Sequence, residues 1–402
     1  MDLIYLDNNA TTQPSPGVVA AVAEAHERLW ANPSSVHRFG QEVRQRMELA
    51  RASAAGLIGA KPRELVFTSG GTESCALAIR GLQEAQRGAE RFTLVTTAME
   101  HAAVREVAQM WDSDDRRGIR VLDLGCRPGG LIDASLLAQA LADQRGVVLV
   151  SLQWANNETG VVQPMDEIAA AVAAARGRGQ EVWLHTDATQ AVGKLPVDAG
   201  AAGVDLLSFA AHKFHGPKGV GGLWVRRGVR LRPQQRGGPQ ETQRRGGTEN
   251  VAGVLGLGVA AQEAAVFLQD PAGREAVAGL RDRLEQRVQA GLAQAGLPAA
   301  VVNSGGVPRL WNTTNLGFRG LEAEAILLGL SERGVCASAG AACSSGSLEP
   351  SPVLLAMGVE EAVAHGSIRL SLSRRTTADE TDAAARAVVE VVARLARVMP
   401  MG

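Results

Sequence analysis

A chain of 402 residues is long enough for two or more domains and a large buried core. Apolar residues at 46% and charged residues at 21% lie near ordinary globular values and exclude a disordered chain. A formal net charge of -1 gives no field to recruit a polyanion, so no nucleic-acid partner is expected.

The opening residues, MDLIYLDNNATT, have neither the basic start nor the apolar core of a signal peptide. No run of 18 or more residues is free of polar interruption, so the reading is a soluble, cytoplasmic chain with no membrane partner. The cysteines, Cys75, Cys126, Cys336 and Cys343, are too few and too scattered for a disulfide framework and predict reduced thiols. No C-x-x-C pair or His/Cys cluster predicts a metal site.

In chain order, helical periodicity from Val18 to Trp30 is followed by NPSSVHRFG, which opens a helix to about Ile58. Leu65 to Thr68 reads as a strand that passes through SGGTES, Ser69 to Ser74, into an alanine-rich helix. Such a Gly-rich turn at a helix N-terminus offers backbone amides to an anion, and Thr72 adds a hydroxyl. A phosphate is its natural guest, but taken alone the motif is weak: such turns often exist only to make the bend, and it lacks the lysine of a nucleotide P-loop and the spacing of a dinucleotide fingerprint.

Strands at Phe92 to Thr97, Ile119 to Leu124, Val147 to Gln153, Val182 to His185, Val204 to Phe209 and Gly222 to Val225 alternate with helical segments. The alternation predicts an α/β fold, a mostly parallel central sheet flanked by helices, with ligands outside the carboxyl ends of its strands. Polar clusters fall at those exits: Glu100 and His101, Asn156 and Asn157, Asp187 and Gln190, His212 and Lys213. Each alone is readable as a turn former, cap or surface group, but four at strand exits predict a site. Lys213, on a Gly/Pro-rich turn beside His212, is placed where a lowered pKa would let its amine form a Schiff base.

The segment from Arg226 to Asn250 is rich in Arg and Gly but holds no aromatic residue to stack on a base, which favours a solvated or subunit-contacting loop. Alanine-rich helices run to about Gly296, and from Pro298 shorter elements predict a second, smaller domain. There Cys343, among the small residues of CASAGAACSSGSLEPSPVL, reads as an exposed thiol whose reactivity is used, and Cys336 beside Val335 as a small core residue.

With Lys213, Asp187, His101 and Cys343 in place, the chain resembles the cysteine desulfurases, pyridoxal-phosphate enzymes of the aminotransferase class V group. The resemblance runs in the family's order from YLDNNATT through FTSGGTES, WANNETG, HTDATQAVGKLP, AAHKFHGPKG and RRGGTEN to GAACSSGSLEPS and HGSIRLSLSRRTT. It is closest to the long-loop branch, with WANNETG and SLSRRTT leaning toward the nitrogen-fixation type.

The resemblance implies a fold-type I pyridoxal-phosphate transferase with a large cofactor domain over 18–265 and a smaller α+β domain from 1–17 and 266–402. It makes Lys213 the Schiff-base lysine and α-proton base, Asp187 the partner of the pyridine nitrogen and Gln190 of the ring oxygen. His101 stacks on the ring and assists proton transfer. Gly71, Thr72, His212 and, from the other subunit of a homodimer, Thr248 hold the phosphate. Where the family often carries Ser two residues before His212 this chain has Ala210, and Ser208 is the substitute expected to contact the phosphate. Arg369 binds the substrate carboxylate with Asn157, and Cys343 takes sulfur from L-cysteine as a persulfide for an iron-sulfur scaffold or another acceptor protein. Pro352, where relatives commonly have His or Tyr, is expected to stiffen the exit of that loop. The alternatives are a selenocysteine lyase or small-substrate aminotransferase of the same fold and, more remotely, a non-catalytic metal or cluster scaffold.

Overall fold

A computed structural model describes residues 3–113, 118–339 and 349–398. Strand β1 (Ile4–Tyr5) is followed by helices α1 (Pro16–Arg28) and α2 (Arg38–Leu57). Then come β2 (Leu65–Thr68), α3 (Gly71–Ala85), β3 (Phe92–Thr96), α4 (Ala102–Asp112) and β4 (Ile119–Asp123). A small hairpin, β5 (Cys126–Arg127) and β6 (Leu131–Ile132), leads to α5 (Ala134–Ala142), β7 (Val147–Gln153), α6 (Met165–Gly177) and β8 (Glu181–Asp187). The last strands of this part are β9 (Leu206–Ala210) and β10 (Gly221–Val225).

The seven strands expected from the sequence form one sheet in the order β2-β10-β9-β8-β7-β3-β4. From β9 to β4 all neighbours run parallel, and β10 is antiparallel to both β9 and β2. The reversal follows from length, because the ten residues between β9 and β10 make a turn too short for a parallel crossover. Residues of β7, VVLVSLQ, are buried along its whole length, as a strand covered on both faces requires. The parallel strands therefore end on one edge, where Gln153, Asp187 and Ala210 are the last residues of β7, β8 and β9.

Beyond the sheet, Gln240–Gln243 forms the short turn α7, and α8 (Val251–Leu268) and α9 (Pro271–Gln294) are long. Helix α8 is long and apolar enough to cross a membrane, but it packs against α1 and α2 with Val254, Leu257 and Ala261 buried. The remaining elements are β11 (Val301–Val302), β12 (Thr313–Gly317), α10 (Ala323–Ser331), β13 (Val335–Cys336), α11 (Pro352–Ala356), α12 (Glu361–Ala364), β14 (Ser367–Ser371) and α13 (Ala378–Ala396).

Strands β11, β12 and β14 form an antiparallel sheet whose apolar side, with α9, α10 and α13, makes a separate core around Leu284, Leu316, Ile326, Ile368 and Val388. The chain start joins this unit, β1 pairing with β13 and Asp7 bridging to Ser371. Cys336, expected in a core, is half-buried opposite Tyr5. Pro352 does not sit in an open loop: it is the first residue of α11 behind the Ser351 N-cap, a position where proline's missing N–H costs nothing.

Candidate functional site

At the carboxyl edge of the large sheet lies a cavity of about 220 Å³ lined by Gly71, Thr72, His101, Asn157, Asp187, Gln190, His212 and Lys213, among others. Eight of the sequence-predicted residues thus meet at one place, delivered by the exits of β2, β3, β7, β8 and β9. Ser208, Thr248 and Arg369 do not line it. Ser208 is fully buried one pleat deeper on β9, its hydroxyl 2.9 Å from His185 Nε2, so it cannot replace the serine that Ala210 lacks. Thr248 is exposed and away from this chain's own cavity. Cys343 lies outside the described residues.

The wall at α3 is set by close backbone approach. Gly70, at φ 153, turns the chain from β2 into the helix and packs on β10, where a Cβ on Gly221 would fall 2.6 Å from the Phe209 carbonyl oxygen and 2.8 Å from Gly70 Cα. The first amides of α3 then face the cavity beside the hydroxyl of Thr72. Glu73 ties this turn down, accepting from Ser69 N at 2.7 Å and from Arg245 Nε at 2.9 Å, which brings the arginine-rich segment against it. That segment is further pinned by Glu241, whose buried carboxylate takes both Nη atoms of Arg51 at 2.8 and 2.7 Å and the backbone N–H of Phe67 at 2.9 Å.

Asp187 ends β8 with one carboxylate oxygen accepting from Thr189 N at 2.9 Å. Thr189 also lines the cavity, and its buried hydroxyl has no hydrogen-bond partner among the described residues. His101 is the N-cap of α4, its Nδ1 accepting from Ala103 N at 3.1 Å, which places any proton of the neutral ring on Nε2. Burial lowers its pKa, assisted by Lys213 and Arg105 and opposed by Asp187. His212 reaches Thr11 Oγ1 at 3.2 Å, and burial together with Lys213 and Lys218 pushes its pKa down to about 4, so at neutral pH it meets a ligand as an uncharged ring.

Lys213 donates to the carbonyls of Asn9 and Ala10 at 2.7 and 2.8 Å. Asn9 was legible in the sequence only as part of YLDNNATT, with no role attached. In the structure it is 1% exposed and links the site together: its backbone carbonyl also accepts from Gln190 Nε2 at 3.0 Å, and its side-chain amide donates to the Asn157 carbonyl and to Thr313. Arg369 is 1% exposed and does not line the cavity. It donates to Asp7 Oδ1 at 2.6 Å and to the Asn157 carbonyl at 2.9 Å, so a carboxylate partner from the chain itself occupies part of its fork.

A match to the aminotransferase class-V family model spans residues 4–384. The chain belongs to the aminotransferase class-V family. A "Cysteine desulfurase 2" of Trichormus variabilis is 45% identical over 400 residues, covering 100% of this chain and 96% of that protein. The "Cysteine desulfurase NifS" of Azotobacter vinelandii is 44% identical, covering 99% and 94%. Among solved structures, a "NifS-like protein" superimposes with TM-score 0.86 at 32% identity over 97% of this chain and 99% of that one. "SspA in complex with cysteine" does so with TM-score 0.77 at 31% identity over 93% and 99%.

The cofactor of this class-V chain is pyridoxal 5'-phosphate. The cavity fits it: free helix amides with a hydroxyl and a neutral imidazole suit a phosphate, a carboxylate at the opposite strand exit suits a pyridine nitrogen, and an amine stands between them. The unpartnered Thr189 hydroxyl is a further buried polar atom that a bound group would satisfy.

Proposed function

We propose that this chain is a cysteine desulfurase that converts L-cysteine to L-alanine and passes the sulfur, through a persulfide on Cys343, to iron-sulfur cluster assembly. The observation that carries the reading is Lys213 and Asp187 facing one cavity in a chain 44–45% identical, over its whole length, to proteins named cysteine desulfurase. Supply of nitrogenase in particular is supported by the likeness to the Azotobacter protein named NifS.

When bound, the cofactor supplies an electron-withdrawing ring that stabilises negative charge at the substrate's α-carbon. Lys213 anchors it and then takes and returns the α-proton, its amine kept in place by the Asn9 and Ala10 carbonyls. Asp187, braced by Thr189 N, holds a proton on the ring nitrogen. His101 would contact the ring, carrying its own proton on Nε2. Gly71, Thr72 and His212 would hold the phosphate, with Thr248 contributed by the second subunit of a homodimer. Arg369 orients the substrate carboxylate with Asn157, Asp7 steadying the guanidinium from behind.

The Cys343 thiolate attacks the substrate sulfur. A sulfur–sulfur bond forms, the substrate's carbon–sulfur bond breaks, and its electron pair remains with the carbon skeleton, which takes up a proton and leaves as alanine. The large cofactor-binding part is assigned to 18–265, and the smaller part, 1–17 with 266–402, carries Cys343. The setting is cytoplasmic, in keeping with the bacterial relatives.

The test uses one purified sample: its visible spectrum with pyridoxal phosphate, then alanine and sulfide after L-cysteine and a thiol reductant. Lys213→Ala is expected to lose both the absorption of the lysine-bound cofactor and alanine formation. Equal alanine from wild type and Lys213→Ala overturns the reading, and equal alanine and sulfide from Cys343→Ala overturns the persulfide step alone.

A further inference from the structure

Lys194 has no part in the reaction as described, yet its side chain lies 3% exposed directly behind the site. Its ammonium donates to Asn9 Oδ1 at 2.9 Å and to Gln190 Oε1, and among the described residues no carboxylate lies within ion-pair distance of it. Burial, followed by the positive charges of Lys213 and Arg369, lowers its pKa well below that of a free lysine. A buried amine held at such a cost, without an anion, is not there to form a salt bridge.

Its approach to the site is built into the backbone. Gly193, at φ 77, packs on the residue after Lys213, where an added Cβ would come within 2.4 Å of Phe214 Cβ. The Lys194 carbonyl is held by Trp311 Nε1 at 2.8 Å.

An ammonium or an amine N–H can only donate to these two oxygens, and that fixes the direction of Gln190. Its oxygen faces Lys194 and its nitrogen faces the Asn9 carbonyl at 3.0 Å. A flipped amide would set N–H against N–H on one side and oxygen against oxygen on the other. With one N–H spent on Asn9, the second N–H of the same nitrogen is what Gln190 offers to the cavity it lines. Asn9 is oriented by the same contact: its oxygen takes Lys194 and Asn312 Nδ2, its nitrogen donates to Asn157 and Thr313, and its backbone carbonyl receives Lys213.

We propose that Lys194 is a positioning residue that locks the Gln190 carboxamide with its nitrogen toward the cavity, so that Gln190 meets the cofactor's ring oxygen as a hydrogen-bond donor. This rests on the cavity being the pyridoxal-phosphate site.

The experiment is a double-mutant cycle on the holoenzyme, with Lys194→Met, Gln190→Met and the pair, read by the visible absorption maximum and the rate of cofactor release to a scavenger. Lys194→Met is expected to displace the maximum in the same direction as Gln190→Met and to speed release about tenfold, the size of one charge-assisted hydrogen bond. It is expected to change neither further in the Gln190→Met background. An unchanged maximum and release rate in Lys194→Met, or effects that add in full in the pair, overturn the proposal. If Lys194→Met does not fold, Lys194→Gln keeps an N–H donor at this position and is expected to retain the wild-type maximum. A Lys194→Gln maximum displaced as far as that of Gln190→Met overturns it as well. A wild type that develops no visible band with pyridoxal phosphate defeats the reading of the cavity instead.

Discussion

At the scale of single residues, Asp187 separates chemistry from fold. Its carboxylate accepts from Thr189 N, a bond that an asparagine carbonyl oxygen can also accept. Asp187→Asn is therefore expected to keep the wild-type melting temperature while lowering kcat for alanine formation by about 100-fold or more, the usual loss for one preorganised electrostatic group. A loss of melting temperature equal in weight to the loss of rate would make Asp187 a structural cap. The neutral state of His212 and His101 belongs to the same scale: burial keeps both uncharged, which suits a hydrogen-bonding and stacking role better than an ion pair.

At the scale of elements, strands β7, β8 and β9 are tied laterally beneath the site. His185 on β8 lies 2.8 Å from Ser151 Oγ on β7 and 2.9 Å from Ser208 Oγ on β9, and burial pushes its pKa down to about 4. A folded state that keeps this ring neutral, against about 6.5 unfolded, has its contribution in full above 6.5. It loses about 1.4 kcal/mol per pH unit as pH falls from 6.5 toward 4. In His185→Asn that dependence is absent, so the stability gap between wild type and variant, measured by urea unfolding, is expected to narrow by that amount per unit over this range. A gap independent of pH would contradict a neutral, buried His185. The junction of β2, α3 and β10 gives a second prediction. Gly221→Ala forces a methyl onto the Phe209 carbonyl and Gly70, so it is expected to cost about 1–3 kcal/mol in urea unfolding and to weaken cofactor binding through the displaced turn.

At the scale of the whole molecule, the exposed Thr248 lies outside the cavity of its own chain, which fits the homodimer proposed above. Mixing Lys213→Ala chains with Thr248→Ala chains gives heterodimers in which one site holds Lys213 from one chain and Thr248 from the other. Those dimers are expected to show half of wild-type activity at limiting cofactor. If the heterodimers gain nothing over Thr248→Ala alone, Thr248 acts within its own subunit. The chain start adds a reason for the arrangement: it is hydrogen-bonded to β14 while Asn9 and Ala10 hold Lys213, so one segment links the C-terminal sheet to the cofactor cavity.

The sequence by itself determined the alternating strands, the carboxyl-edge location of the site and eight residues that line it, because strand exits and Gly-rich turns are local features of composition and order. It also determined the family, through motifs whose order is read without a fold. Tertiary structure decided what local pattern does not carry. The strand order and the reversal of β10 depend on pairing between distant segments. Ser208 and Ala210 share a face of β9, yet only packing shows that the first is consumed by His185 and the second borders the cavity. Asn9 and Lys194 are nearly two hundred residues apart and gain their meaning from meeting at Gln190 and Lys213, which requires hydrogen bonds that only the folded chain brings within reach.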